Sequence, residues 1–206
     1  MKIVCISDTH SGHHAVEIPE GDILIHAGDL TAWGKSSEIK EFNDWLGTLP
    51  HPHKIVICGN HDWFFEQSPK EAAQLISNAI FLMDSGVDVM GLKIWGSPIT
   101  PRFFSFAFNR DRGEDIQKHW DMIPTDTDLL ITHGPPFGIL DRNFRGEWVG
   151  CEALRQKVDE ISPRMHVFGH IHEAYGLLET EKTIFVNASI MNLEYHPVHQ
   201  AILVEV

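Results

Sequence analysis

The sequence predicts an α/β domain built on a largely parallel sheet, and three observations carry that reading. Five short apolar runs, at residues 2–7, 22–26, 54–58, 128–132 and 165–168, have the length and β-branched content of buried strands. Segments with the helical period lie between several of them, which is the spacing of β-α-β crossovers. Each of the five runs also stops at a polar cluster rich in Asp, His or Asn. In open α/β sheets the carboxyl ends of the strands gather at one edge, where ligands bind.

In chain order, Lys2–Ser7 is the first strand and leads into Asp8-Thr9-His10. His13 and His14 follow in a loop and are expected to face solvent. Asp22–His26 is the second strand, ending in Ala27-Gly28-Asp29, with His26 read as a hydrogen-bonded core histidine. Ser36 or Ser37 can cap a helix whose apolar positions Ile39, Phe42, Trp45 and Leu46 keep the helical period. Gly47 and Pro50 end it. Lys54–Cys58 opens into Gly59-Asn60-His61-Asp62, where glycine lets the chain turn sharply. Ser68-Pro69-Lys70-Glu71 starts a helix running to about Asn78.

Phe81–Met83 and Val87–Trp95 read as shorter strands, the latter a pair joined across Gly91. Residues 97–112 form a long aperiodic loop rich in Pro, Phe and Arg, a type of loop that is often functional. Ile116, Trp120 and Ile123 mark a helix ended by Pro124, and Asp128–Thr132 is a strand leading to His133-Gly134-Pro135-Pro136. A helix over 150–161 precedes the strand Met165–Phe168, which ends in Gly169-His170-Ile171-His172. The tail segments Tyr175–Leu178, Thr183–Asn187 and Gln200–Val206 look like antiparallel strands.

At 206 residues, with no repeat or linker, one domain spanning 1–206 is expected, large enough to bury a real core. The first apolar run is too short for a secretory leader, and no later run approaches a membrane span. Cys5, Cys58 and Cys151 form no C-x-x-C pair, which fits a reducing compartment. A cytoplasmic protein is therefore expected. The net charge of −13 makes the chain a poor partner for long nucleic acid. An anionic substrate would need a local cationic centre such as metal ions. Oligomeric state has no signature in the sequence.

The polar clusters specify that centre. Asp8 and His10 are two apart, so in an extended chain they face one side and can grip one ion, and His170 and His172 repeat the spacing. Carboxylate, amide and imidazole without thiolate suit Mn, Fe or Zn and disfavour a closed structural zinc site. Asp8, His10, Asp29, Asn60, His133, His170 and His172 are too many donors for one ion. With Asp29 bridging, they fit two ions roughly 3.5–4 Å apart, which can ionise a shared water and hold both oxygens of an in-line displacement at phosphorus.

The ordered set Asp8-x-His10, Gly28-Asp29, Gly59-Asn60-His61-Asp62, His133 and Gly169-His170-x-His172 resembles the calcineurin-like metallophosphoesterase superfamily. The resemblance implies an α/β fold of a particular kind, a four-layer αββα sandwich of two mixed β-sheets flanked by helices. It implies Asp8, His10, Asp29 and His172 as ligands of one metal, and Asp29, Asn60, His133 and His170 as ligands of the other. Manganese is the foremost expectation, with iron or zinc also fitting. His61 is then the non-ligand that protonates the leaving alcohol or steadies the phosphate oxygens, and Asp62 holds its imidazole in the useful tautomer.

Further segments, His26-Ala27-Gly28-Asp29-Leu30-Thr31, Trp45-Leu46, Leu49-Pro50-His51, Ala107-Phe108-Asn109, Thr132-His133-Gly134-Pro135-Pro136 and His166-Val167-Phe168-Gly169, resemble the metallophosphoesterase-domain (MPPED) group. Activity in that group implies hydrolysis of small phosphodiesters, cyclic nucleotides included. One animal form carries glycine at the position of His170, so the histidine here argues for a complete site. A phosphomonoesterase with the same metals is an alternative, and a non-catalytic binding or scaffold module of the same fold is another. Asn109, Arg142 and Arg145 are the expected substrate contacts, with Arg102 and Arg110 as further phosphate candidates. Trp33, Trp63 and Trp148 are read as packing residues, and His51, His53, His119, His196 and His199 as surface or loop residues.

Overall fold

The computed structural model describes residues 1–206. Its elements, in chain order, begin with β1 (Lys2–Ile6), β2 (Ile23–Ala27), α1 (Ser36–Thr48), β3 (His53–Ile57), α2 (Trp63–Gln67) and α3 (Pro69–Gln74). There follow β4 (Ile80–Phe81), β5 (Ser85–Val89), β6 (Leu92–Ser97), β7 (Thr100–Pro101), β8 (Asn109–Arg110) and α4 (Glu114–Trp120). The chain closes with β9 (Leu129–Thr132), α5 (Glu152–Ile161), β10 (Met165–Phe168), β11 (Gly176–Glu179), β12 (Ile184–Asn187) and β13 (Ile202–Glu205).

Strands β7 and β8 pair only with each other, and the other eleven divide between two mixed sheets. One has the order β13-β1-β2-β3-β4, parallel except for β13. The other has the order β11-β12-β10-β9-β6-β5, parallel in the middle with an antiparallel strand at each edge. Strand periodicity explains how they stack. Ile3, Cys5, Ile23, Ile25, Ile55 and Ile57 point into one cluster with Ile94, Leu129, Ile131, Met165 and Val167 of the other sheet. The alternate residues Val4, Ile6, Leu24 and Val56 share a second cluster with Ile39, Phe42, Trp45 and Leu46 of α1. Leu130 and Phe168 belong to that outer cluster together with Ile116 and Trp120 of α4 and Leu154 and Val158 of α5. Both faces of the central strands are covered, which is why they read as unbroken apolar runs. The layers are helix, sheet, sheet, helix.

Several local expectations need correction. No Ser caps α1; the Glu38 carboxylate instead accepts from the backbone N–H groups of Ala32, Trp33 and Lys35, and Ser36 is already helical. Helix α3 stops at Gln74 and not at Asn78, because the Asn43 side chain takes the N–H groups of Ser77 and Asn78. The short helix α2 has no counterpart in the sequence reading. In the tail, only β11 and β12 form the expected antiparallel pair; β12 also lies parallel to β10, and β13 crosses to the other sheet beside β1.

The histidines also differ from expectation. His26 is a core histidine as expected, with Nε2 2.9 Å from Thr9 Oγ1. His13 and His51, read as exposed or loop residues, are both buried, and His51 Nε2 lies 2.9 Å from the Pro19 carbonyl. His119 is held by Asp84 at 2.7 Å. Trp63 packs on the core, whereas Trp33 is exposed. All three cysteines are buried and unpaired.

Candidate active site

Asp8 and His10 leave the end of β1, Asp29 the end of β2, and Asn60 and His61 the end of β3. His133 follows β9, and His170 and His172 follow β10. The first three strands belong to one sheet and the last two to the other, so the side chains meet where the carboxyl ends of both sheets adjoin. His172 Nε2 is 3.5 Å from Asp8 Oδ1 and 3.4 Å from His10 Nε2. His10 Nε2 is 3.6 Å from Asp29 Oδ2, which is 3.4 Å from His133 Nε2. His133 Nε2 in turn lies 2.8 Å from Asn60 Oδ1, and the His170 ring sits 5.0 Å from the His133 ring. All seven side chains expected from the sequence are therefore brought into one contiguous cluster.

The backbone achieves this by an unfavourable route. Asp8, His10, Asp29 and His170 have φ of 55°, 41°, 56° and 69°, the left-handed region that non-glycine residues avoid. Asp8 and His10 thus do not meet through extended chain, as their spacing had suggested. They lie on a tight turn pinned by Asp8 N–H to the Gly28 carbonyl and His10 N–H to the Asp29 carbonyl, at 2.9 and 3.0 Å. Gly59 has a related correction. It is not in the left-handed region; its use is space, since a Cβ there would sit 2.3 Å from Asp29 Oδ1 and 2.6 Å from His133 Cε1.

Electrostatics follow from burial and proximity. Burial alone would push the Asp8 and Asp29 carboxyls up, but neighbouring imidazoles, His172 for Asp8 and His133 for Asp29 foremost, hold both below the usual carboxylate range. Burial likewise disfavours the charged forms of His133 and His172, yet the adjoining carboxylates override it and raise each to about 9. His10 and His170, where burial wins, fall to about 4 and about 3. His133 Nδ1 lies 3.0 Å from the Ala27 carbonyl and His172 Nδ1 3.1 Å from the Asn192 carbonyl. Nδ1–H donates in each case, so Nε2 faces the carboxylates and presents its lone pair there once it gives up its proton, the orientation seen in metal-ligating histidines. Three triads, Asp8/His10/His172, Asp8/Asp29/His133 and His10/Asp29/His61, bring their ligating atoms within 4.8 Å of one another. The donor set fits divalent Mn, Fe or Zn.

His61 stands at the edge of this cluster. Its N–H donates to Asp29 Oδ1 at 2.8 Å, its Nδ1 lies 3.2 Å from the Ala32 carbonyl, and its ring meets His10 edge-on at 4.6 Å. Asp62 does not orient it. The Asp62 carboxylate is fully occupied by N–H groups of Gly59, Leu30 and Thr31 at 2.7, 3.1 and 2.9 Å and by Thr31 Oγ1 at 2.7 Å. The contact to His61 Nδ1 expected of Asp62 is made by the Ala32 carbonyl, and Asp62 braces the loops after β2 and β3. Burial, reinforced by the Asp29 charge, pushes the Asp62 carboxyl up to about 6. Asp62→Ala strands several buried donors and should cost at least ~2 kcal/mol in urea unfolding. A variant of wild-type stability with reduced turnover would restore the orienting role.

A cavity of about 410 Å³ opens over the cluster. Asn60, His61, His170 and His172 line it below, and Arg102, Phe103, Phe106, Arg112, Trp148 and Tyr195 line its walls. The three expected substrate contacts are not among the lining residues. Asn109 Nδ2 donates to the carbonyls of Phe103 and Phe104 at 3.1 and 3.3 Å, so its amide holds the aromatic loop in shape. Arg142 lies over the Trp148 ring at 4.2 Å and Arg145 over Phe144 at 5.2 Å, bracing rim aromatics. Arg110 is turned toward Glu66. Arg112 and Tyr195 were missed by motif reading; Arg112 closes the conspicuous Phe- and Arg-rich loop, while nothing in the tail sequence marks Tyr195.

A four-layer αββα sandwich with this Asp, His and Asn cluster at the strand ends defines a class, the metallophosphoesterases. The chain belongs to the calcineurin-like phosphoesterase family, which it matches over residues 1–174. It is 42% identical over 229 aligned residues to human metallophosphoesterase domain-containing protein 1, covering 99% of this chain and 70% of that protein. It is 24% identical to a probable glycerophosphodiester phosphodiesterase GpdQ of Arcobacter nitrofigilis, over 90% of this chain and 66% of that one. Among solved structures, TT1561 of Thermus thermophilus shares the fold with a TM-score of 0.60 at 12% identity, covering 90% of this chain and 88% of that one. No helix is long and apolar enough to cross a membrane.

Proposed function

We propose that the protein is a dinuclear metal-dependent phosphodiesterase acting on small nucleotide-type phosphodiesters, cyclic ones included. The observation that carries this reading is the buried Asp/His/Asn cluster forming the floor of an aromatic-walled cavity, with His61 beside it. Asp8, His10, Asp29 and His172 would hold one metal and Asp29, Asn60, His133 and His170 the other, manganese foremost and iron or zinc as alternatives. Two divalent ions held there supply Lewis-acid activation and neutralise charge on the phosphoryl group. In its imidazolium form His61 gives Nδ1–H to the Ala32 carbonyl and can hand its Nε2 proton to the departing ester oxygen, leaving neutral imidazole. Arg102 and Arg112 add positive charge to the cavity wall. Asp111 holds the one and Glu152 with the Gly150 and Val149 carbonyls holds the other, so the metal ions carry the main task of meeting substrate charge. Phe103, Phe106, Trp148 and Tyr195 exclude water and offer flat apolar surface to an ester substituent. The relative described as a probable glycerophosphodiester phosphodiesterase supports the diester reading. Three buried, unpaired cysteines accord with a cytoplasmic setting.

Parallel assays with bis- and mono-p-nitrophenyl phosphate, with added Mn²⁺, test the reaction class. Diester hydrolysis should dominate. A strong monoester preference would make the protein a phosphomonoesterase, and a metal-loaded protein inert to both and to a panel of 2′,3′- and 3′,5′-cyclic nucleotides would favour a scaffold.

Metal loading should also release protons. His133 and His172, raised to about 9, are protonated at neutral pH, and a ligand histidine must be neutral. Apparent affinity should therefore climb with pH toward about 9 and flatten above it. Calorimetric titration at pH 7 in buffers of different ionisation enthalpy should give up to about two protons released from this pair; a heat independent of buffer would refute the assignment.

A further inference from the structure

Beyond His10 the chain enters a 3-10 turn over His13–Ala15. The His13 ring packs against Phe42 and Trp45 of α1, with ring centroids 5.5 and 4.9 Å away, and the residue has no exposed surface. Neither of its ring nitrogens has a hydrogen-bond partner. A buried polar group left unpaired costs free energy, so the site calls for a group that would satisfy it.

Two exposed ligand types stand next to this imidazole. The His14 ring is 4.5 Å from that of His13, and His14 Nε2 lies 3.7 Å from Glu41 Oε1 on α1. The ligating atoms of the three residues all fall within 4.8 Å of one another. His13 is fixed by core packing, whereas the side chains of His14 and Glu41 are 61% and 59% exposed and free to change rotamer.

The geometry points to a separate metal site, outside the active-site cluster, at which His13, His14 and Glu41 bind one divalent cation, zinc foremost, with water completing its coordination. Two imidazoles and one carboxylate favour zinc, nickel or copper over magnesium and calcium, which take oxygen ligands. Burial keeps His13 neutral at physiological pH, its pKa lowered to about 4, so its lone pair is available. The cation would tie the segment after His10 to α1. It would clamp one side of the active-site turn without touching the proposed catalytic residues.

The test is a Zn²⁺ titration of Mn²⁺-loaded full-length protein in a non-coordinating buffer, comparing the wild type with His14→Ala and Glu41→Gln. Exchange at the active-site cluster contributes equally to all three, so the difference isolates this site. The wild type should bind one Zn²⁺ more than His14→Ala, with affinity at the extra site reduced at least tenfold in Glu41→Gln. Zinc should also raise the wild-type Tm more than that of either variant. Equal stoichiometry and affinities within twofold across the three proteins would overturn the site. Both substitutions are at exposed positions, so folding is retained, and turnover of the Mn²⁺-loaded variants should match wild type whether or not this proposal stands.

Discussion

His61→Asn should lower kcat by ~10²–10⁴ while both metals remain bound, the loss typical of a missing general acid. Asparagine can keep the contact to the Ala32 carbonyl through its amide, so the loop is undisturbed, but it carries no transferable proton. The competing role is coordination, because His61 can bring a nitrogen within 4.8 Å of ligand atoms on His10 and Asp29. The two roles separate cleanly in metal analysis after dialysis. Two equivalents retained with turnover lost would support the proton role, and one equivalent lost would make His61 a ligand. Substrates with good leaving groups, which need little protonation, should be affected least.

Gly59→Ala should damage the site severely with a single added methyl. The added Cβ would lie 2.3 Å from Asp29 Oδ1, 2.4 Å from Asp29 N and 2.6 Å from His133 Cε1. Neither a backbone nitrogen nor a buried ring can yield at low cost, so Asp29 and His133 must move apart. The expected result is loss of metal retention and undetectable turnover, with a destabilisation of ~1–3 kcal/mol from overpacking. Gly91→Ala is the matched control. Gly91 sits in the β5–β6 hairpin at φ +80° with nothing within 4 Å of a new Cβ, so alanine there pays only the left-handed backbone cost of ~1–2 kcal/mol and leaves activity intact. Full metal content and activity in Gly59→Ala would mean that the turn after β3 is pliant and does not set the spacing of the cluster.

The strand ends were legible because two-sided burial makes each central strand an apolar run, and any polar residue after it stands out. Asp8, Asp29, Asn60, His133, His170 and His172 all announced themselves in that way. The division into two sheets was expected from the family resemblance alone, because the pairing of β13 with β1 and of β12 with β10 is a long-range choice that local pattern does not encode. Side-chain direction in loops was equally hidden. Asp62 follows His61 in sequence, yet the turn aims its carboxylate at four other donors. Asn109 and Arg142 lie in the segments that surround the cavity but spend their polar groups on neighbouring carbonyls and an aromatic ring. His13 looked like a loop residue because burial by a helix about thirty positions away leaves no trace in the flanking sequence.

The Asp8 carboxylate is steadied by the His170 N–H, 162 positions along the chain, and by the Ser189 hydroxyl, 181 positions along, at 2.7 Å. Timing follows from that reach. During synthesis the first strand and its aspartate emerge early, but the donors that fix the carboxylate emerge only after most of the chain. A nascent fragment lacking residues 170–189 lacks these donors and the His170 and His172 side chains, so the cluster is complete only once that segment has joined the first strand. Such long-range closure also slows folding, which makes assembly of the cluster a late event in the folding of the chain.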